Sequence, residues 1–209
     1  MKINFLGDSI TEGVGASCYE KCYVKLVSDL LGCEVNNYGI SGTRIARQSK
    51  PSKPLSFDLD FQLRVEIIDK TADFTVVFGG INDFGHGDAH IGVFEEKNPY
   101  TFYGGLRILI EKLIERFGKE KIVFILPLGM RGDDRFCGIG SLKSNATMDD
   151  YIEVMKKVLD TYGVAYMDLY HKLPLPEQDG GNEYFADFVH PNDKGHEWLA
   201  KQVAEYFKL

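Results

Sequence analysis

The stretch Ile3-Asn4-Phe5-Leu6-Gly7-Asp8-Ser9-Ile10-Thr11 decides the fold. Residues 3–6 are a short, largely apolar run at the start of the chain, the pattern of a buried strand. Gly7 and Asp8 are turn formers, and the hydroxyl residue Ser9 follows at once. A helical pattern comes later, over residues 19–31, with Tyr23, Val27, Leu30 and Leu31 on one face and Gly32 as its stop. A strand that ends in a sharp turn and feeds a helix is the opening unit of an open α/β sheet. Such sheets carry their chemistry at the carboxyl ends of their strands.

The unit recurs along the chain. Residues 34–38 read as a second strand ending at Gly39, and residues 73–78 as a third ending at Gly79-Gly80. This third run is β-branched and apolar on both faces, which implies cover on both sides. Residues 121–126 and 164–168 supply two more strands. Between them lie helical patterns at 61–68 (Phe61, Val65, Ile68) and 106–117 (Leu106, Leu109, Ile110, Leu113, Ile114, Phe117), the latter stopped by Gly118. Thr147 and Asp150 form a capping box for a helix carrying Tyr151, Val154, Met155, Val158, Leu159 and Tyr162, closed by Gly163. The last helix follows Pro191, with Asn192 as N-cap and Leu199, Val203, Tyr206 and Phe207 as its buried face. Five strands separated by connections of crossover length predict a five-stranded parallel sheet with helices on both faces, in a single domain over 1–209. The remaining segments read as loops. Gly13-Val14-Gly15 is loose, 43–57 is a solvated basic segment with Arg44, Arg47, Lys50 and Lys53, and 84–104 and 128–146 are long and irregular.

Composition narrows the function classes. A formal charge of −7 argues against nucleic acid or an anionic membrane as a partner, because both require clustered Lys and Arg. No apolar run approaches the ~18 residues of a membrane-spanning helix. The start of the chain lacks the apolar core of a signal peptide, so a cytoplasmic location is expected. Cys18, Cys22, Cys33 and Cys137 are irregularly spaced, which suits free thiols in a reducing compartment better than a zinc site. No Gly-rich stretch matches the P-loop or the dinucleotide fingerprint. Neither a cofactor nor a metal is expected.

Four stretches carry the chemistry: Gly7-Asp8-Ser9, Asn37-Tyr38-Gly39-Ile40-Ser41-Gly42, Gly79-Gly80-Ile81-Asn82-Asp83 and Asp187-Phe188-Val189-His190. In this order and strand context they resemble the SGNH, or GDSL-type, hydrolase family over nearly the whole chain. The first block differs in having Ile10 where the older name has Leu. The resemblance implies a flavodoxin-like three-layer α/β/α sandwich and the hydrolysis of ester or related acyl bonds. It implies Ser9 as nucleophile, Asp187 and His190 as the rest of a triad, and an oxyanion hole from Ser9, Gly39 and Asn82.

Residue chemistry agrees with that assignment. A Ser hydroxyl is a poor nucleophile until an imidazole takes its proton, and His190 can do so if the chain end folds back over the sheet edge. Asp187, three residues earlier, can reach the other ring nitrogen. Gly39 lets a backbone N–H approach a substrate without a side chain in the way, and Asn82 offers an amide donor beside a buried strand. Taken singly, Asp187 also reads as a helix cap, His190 as a surface histidine, and Gly39 and Asn82 as turn residues. Asp8 and Asp83 read as local hydrogen-bond organisers. His86, Asp88 and His90 read as a solvated loop, His171 and His196 show no partner, and Trp198 reads as helix packing.

Two other functions remain open at this point. A metal-dependent phosphoesterase would use Asp8, Asp83, Asp187, His190 and His86 as ligands, and a non-catalytic flavodoxin-like module would use the open loops to bind a ligand. For an esterase, the expected partner is a small-molecule ester. Phe84, Phe94, Tyr100, Phe102, Tyr103 and Phe136 stand among charged residues in the two long loops. That lining suits a polar alcohol, such as a sugar, carrying a small acyl group.

Overall fold

The computed structural model describes residues 1–129, 143–174 and 181–208. Five strands, β1 (Lys2–Gly7), β2 (Glu34–Gly39), β3 (Phe74–Phe78), β4 (Ile122–Ile125) and β5 (Ala165–Met167), form one parallel sheet. Their order is β2-β1-β3-β4-β5, the flavodoxin-like arrangement. The chain leaves β1 to build β2 on one side and returns to build β3 on the other, so β1 and β3 flank the switch point. Gly7 stands level with Gly39 of β2 and with Phe78 of β3. The ends of all three strands are therefore flush on one edge.

Alternation along each strand divides the core into two layers. Ile3, Phe5, Val76, Phe78 and Ile125 face one side, where they pack with Val24 and Val27 of α2 (Tyr23–Leu31) and Leu199 and Val203 of α7 (Asp193–Lys208). Leu6, Val77, Ile122 and Phe124 face the other, against α5 (Phe102–Phe117) and α6 (Met148–Tyr162). Each such side chain, once buried, contributes roughly 1.5–3 kcal/mol. The capping box of Thr147 and Asp150 is formed, and Gly163 closes α6 at φ +64°. Asn192 caps α7 through Oδ1, which accepts from the amides of Lys194 at 3.0 Å and Gly195 at 3.2 Å.

Several expectations are corrected. The pattern over 19–31 breaks at Cys22, which is extended, into a 3₁₀ turn (Tyr19–Lys21) and α2. The buried face of α2 is Tyr23, Val24 and Val27, while Leu30 is exposed. The pattern over 61–68 likewise divides into α3 (Phe61–Arg64) and a 3₁₀ turn (Val65–Ile67). Residue 84 lies in a short helix, α4 (Ile81–Gly85), and both Phe84 and Phe102 are fully buried core residues rather than loop aromatics. Tyr206 and Phe207 are only half-buried.

The basic segment is not a solvated loop at its start, since Thr43, Arg44, Ile45 and Ala46 are buried. Its charge is met locally, because Arg44 bonds to Ser52 Oγ, the Phe57 carbonyl and Asp58. The turn at 13–15 is also held, by His196 Nε2 donating to the Val14 carbonyl at 3.2 Å. Cys22 and Cys33 are buried, Cys18 is exposed, and Cys137 and Phe136 lie outside the described residues. No helix among the described residues is long and apolar enough to cross a membrane.

Candidate active site

The end of β1 and the start of α1 (Ser9–Glu12) set Ser9 at the switch point. Asp8 caps α1, its Oδ1 accepting from the Ile10 amide at 3.1 Å. Burial pushes the Asp8 carboxyl up to about 6, against the pull of that amide and of the nearby Arg64 guanidinium. Beneath the turn lies Arg64. Its guanidinium donates to the carbonyls of Gly7 (3.1 Å), Tyr38 (2.5 Å) and Leu59 (2.9 Å) and to Thr43 Oγ1 (2.8 Å). Burial lowers it to about 10, so it remains charged at neutral pH. One buried cation thus ties the end of β1 to the end of β2.

The stretch before α7 brings the other two expected members to Ser9. His190 Nε2 stands 2.9 Å from Ser9 Oγ, and His190 Nδ1 stands 2.7 Å from Asp187 Oδ2. A carboxylate only accepts, so Nδ1 carries the proton and Nε2 faces Ser9 with its lone pair. Asp187 Oδ1 accepts from the amides of Val189 at 2.8 Å and His190 at 2.7 Å, which fixes the carboxylate on the turn that carries the imidazole. Partial burial raises the Asp187 carboxyl, but His190 and these two amides outweigh it and hold the group below its ordinary value. The turn itself is pinned by the Ala186 amide on the His190 carbonyl and the Asn192 amide on the Tyr184 carbonyl, both at 2.8 Å. Gly15 backs it at φ +93°, where a Cβ would stand 2.1 Å from the Pro191 carbonyl oxygen.

Asn82 lies in the first turn of α4, one residue after Ile81 and two after Gly80, whose φ of +112° turns the chain sharply out of the sheet. Asn82 Nδ2 donates to the Thr43 carbonyl at 3.0 Å. Asp83 accepts the amides of Ile45 (2.9 Å) and Ala46 (2.8 Å), clamping segment 43–46 against α4. Burial pushes Asp83 up to about 7, even though those amides and Arg44 favour its charged form. Gly39 also reaches this edge, but its N–H donates to Asn37 Oδ1 at 2.8 Å. Glycine is needed there because a Cβ would fall 2.1 Å from the Glu12 amide nitrogen of α1.

Other titratable residues fall differently from the expectations. His86 is half-buried and bonded to Asn82 Oδ1 at 2.9 Å rather than solvated, because α4 ends beneath the Arg44 segment. Asp88 is likewise engaged, accepting from Ser49 and the Lys50 amide, while His90 is exposed. His196 is fully buried with two partners, the Tyr23 amide and the Val14 carbonyl. His171 is exposed with Asp149 as its neighbour at 3.6 Å, and Trp198 packs against the α2–α7 layer. Among the described residues, no group of three or more His, Cys, Asp or Glu is placed to hold a metal ion. Arg64 and the engagement of His86 were missed by sequence reasoning. The i,i+4 spacing of Asn82 and His86 was the available signal for the second.

The profile of the GDSL-like lipase/acylhydrolase family matches residues 5–198. The chain belongs to this family. Membership makes it a hydrolase of ester bonds. Solved structures agree on the fold. A protein from Lactobacillus plantarum is 26% identical, with 99% of this chain and 96% of that one covered at a TM-score of 0.76. A possible lipase from Chitinophaga pinensis DSM 2588 is 20% identical, with 99% and 97% covered at 0.71. The acetyl xylan esterase AlAXEase is 22% identical, with 99% of each covered at 0.66. No curated protein sequence matches this GDSL-family chain.

Proposed function

We propose that this GDSL-family chain is a serine esterase that cleaves small-acyl carboxylic esters through an acyl-enzyme on Ser9. The observation that carries the reading is the hydrogen-bonded line Ser9–His190–Asp187, at 2.9 and 2.7 Å. In the proposed reaction Ser9 Oγ attacks the ester carbonyl as its proton passes to His190 Nε2. Asp187 holds the ring in the Nδ1–H form and steadies the imidazolium that results. The oxyanion is received by the Ser9 amide in the first turn of α1, by the second N–H of Asn82 Nδ2, and by the Gly39 N–H, shared with Asn37. His190 then gives its proton to the leaving alkoxide. Water, activated by the same imidazole, releases the acid and restores Ser9.

The small-acyl preference draws on the corrected fate of the loop aromatics. Phe84 and Phe102 belong to the core, and Phe94 lies under the Lys157 and Arg107 cations. These side chains do not furnish an aliphatic tunnel. The acetyl xylan esterase that shares the fold acts, by its name, on an acetylated carbohydrate, and we extend that substrate class to this chain. The phosphoesterase reading gains nothing from the geometry. Asp8, Asp83 and His86 are committed to the Ile10 amide, the 45–46 amides and Asn82.

The test is labelling with a fluorophosphonate alongside hydrolysis of 4-nitrophenyl acetate, with and without a chelator. The expected outcome is one adduct on Ser9, a rate untouched by chelator, and a folded Ser9→Ala variant with neither adduct nor turnover. Wild-type turnover in Ser9→Ala would end the serine-esterase reading.

A further inference from the structure

Asn82 is useful as an oxyanion donor only while its nitrogen, and not its oxygen, faces the substrate. The two ends of an amide side chain are close in size, so that orientation has to be imposed by neighbours. Two neighbours impose it here, and they agree. At one end the Thr43 carbonyl, which can only accept, takes a proton from Asn82 Nδ2 at 3.0 Å. At the other end His86 Nε2 lies 2.9 Å from Asn82 Oδ1. That contact is productive only if Nε2 carries the ring proton.

The ring proton is placed by Arg44. Its Nη1 stands 3.3 Å from His86 Nδ1, and a guanidinium has donors and no acceptor. His86 Nδ1 must therefore present a lone pair to Arg44, which leaves the single proton of the neutral ring on Nε2, aimed at Asn82. Arg44 cannot swing away, because its side chain is 4% exposed and its Nη2 is held by Ser52 Oγ (2.6 Å), the Phe57 carbonyl (3.0 Å) and Asp58 (3.2 Å). The Phe57 ring lies against the imidazole, with centroids 5.5 Å apart.

From this geometry we infer that His86, oriented by Arg44, is a positioning residue that locks the side-chain donor of the oxyanion hole. The inference rests on Asn82 acting as that donor. Burial first, and the Arg44 charge second, push the His86 imidazole down to about 4. The ring therefore stays neutral at neutral pH. Without the relay, the Thr43 carbonyl alone holds the Asn82 amide, and the orientation that presents Oδ1 to a developing negative charge gains population. Occupancy of the wrong orientation lowers turnover without altering how the ester is bound.

The test is a double-mutant cycle on 4-nitrophenyl acetate, with kcat and KM measured for His86→Leu, His86→Gln, Asn82→Ala and Asn82→Ala/His86→Leu. His86→Leu is expected to lower kcat about tenfold or more at nearly constant KM. Gln can donate through Nε2 and accept through Oε1, so His86→Gln should recover most of that loss. In the Asn82→Ala background His86→Leu should cost less than about twofold. Equal losses in both backgrounds would overturn the relay and leave the esterase reading intact. A wild-type kcat in Asn82→Ala would remove the donor itself, and the relay with it. A second measurement does not depend on the variants folding. Long-range ¹H–¹⁵N correlation of the wild-type histidine rings should show His86 protonated at Nε2 and bare at Nδ1, and the opposite tautomer would refute the relay.

Discussion

At the scale of single residues, the proposed chemistry depends on which atoms still have a donor or a lone pair to offer. Asp187 uses Oδ1 on the Val189 and His190 amides and Oδ2 on His190 Nδ1, so its carboxylate is fixed to orient the imidazole. Asn82 has one N–H on Thr43 and its oxygen on His86, which leaves one N–H for the substrate. We therefore expect Asn82→Ala to lower kcat by roughly 10²–10³-fold with little change in KM, the usual loss for one oxyanion donor. A defect confined to KM would mean that Asn82 binds the ester and does not stabilise the transition state. Gly39 offers no comparable test. Any side chain there meets the backbone of α1, so loss of activity in Gly39→Ala would report the clash as much as the amide. These residues were legible in the sequence because each sits in a short signature of turn formers beside a strand end or helix start. Arg64 was not, since the carbonyls of Gly7 and Tyr38 that it binds lie 57 and 26 positions away. Nothing near it in the chain marks a buried guanidinium.

Between elements, the clamp of α4 on segment 43–46 has a consequence for stability. Asp83 is raised by burial from its ordinary 3.8 to about 7, so the folded chain holds a proton that the unfolded chain has lost. The stabilisation linked to that proton is fully present below about pH 4 and is lost as pH rises through about 7. Asp8, raised to about 6, acts in the same direction. His86 and His196 act oppositely. Burial lowers both below the ordinary 6.5, so they add stability as pH rises, and above 6.5 they have nothing more to add. The opposing effects offset one another between about pH 4 and 6, and above 6.5 Asp83 dominates. Thermal or urea unfolding should show stability falling between pH 6.5 and 8, with a slope of up to about 1 kcal/mol per pH unit. Asp83→Asn keeps one of the two amide contacts, so it should be less stable at pH 6 and lack that slope. A wild-type stability that climbs from pH 6.5 to 8 would show that the two amides and Arg44 already keep Asp83 ionised. This clamp also explains a missed element. Four basic residues and two prolines within 43–57 look like surface, and the start of that segment becomes interior through Asp83 on the 45–46 amides together with Asn82 on the Thr43 carbonyl and Gln62 on the Ile45 carbonyl.

On the scale of the whole molecule, the parallel order β2-β1-β3-β4-β5 gathers the ends of β1, β2 and β3 on one edge. The alternation of five strands with helices was readable because strand and crossover lengths are local properties. The division of aromatics between core and edge was not, because periodicity within a loop does not say which rings the sheet will cover. That division bears on the substrate. An octanoyl chain has six more methylenes than an acetyl group, worth ~0.8 kcal/mol each when fully buried, or about 5 kcal/mol in all. The gain is realised only where a continuous apolar channel receives the chain. Of the rings expected beside the site, Phe84 and Phe102 fill the core, and Phe94 and Tyr103 pack at its margin beneath Lys157. Tyr100 is exposed, and the described residue between Asp187 and His190 with a large apolar side chain in solvent is a single ring, Phe188. Among the described residues, that one exposed ring beside the triad can stack on a sugar face or cover a short acyl group, but it cannot enclose eight carbons. The kcat/KM for 4-nitrophenyl acetate should therefore exceed that for the octanoate, with the difference appearing in both acylation and affinity. Acetylated oligosaccharides should be turned over as well. A clear preference for octanoate would refute the small-acyl assignment and leave Ser9, His190 and Asp187 in their proposed roles.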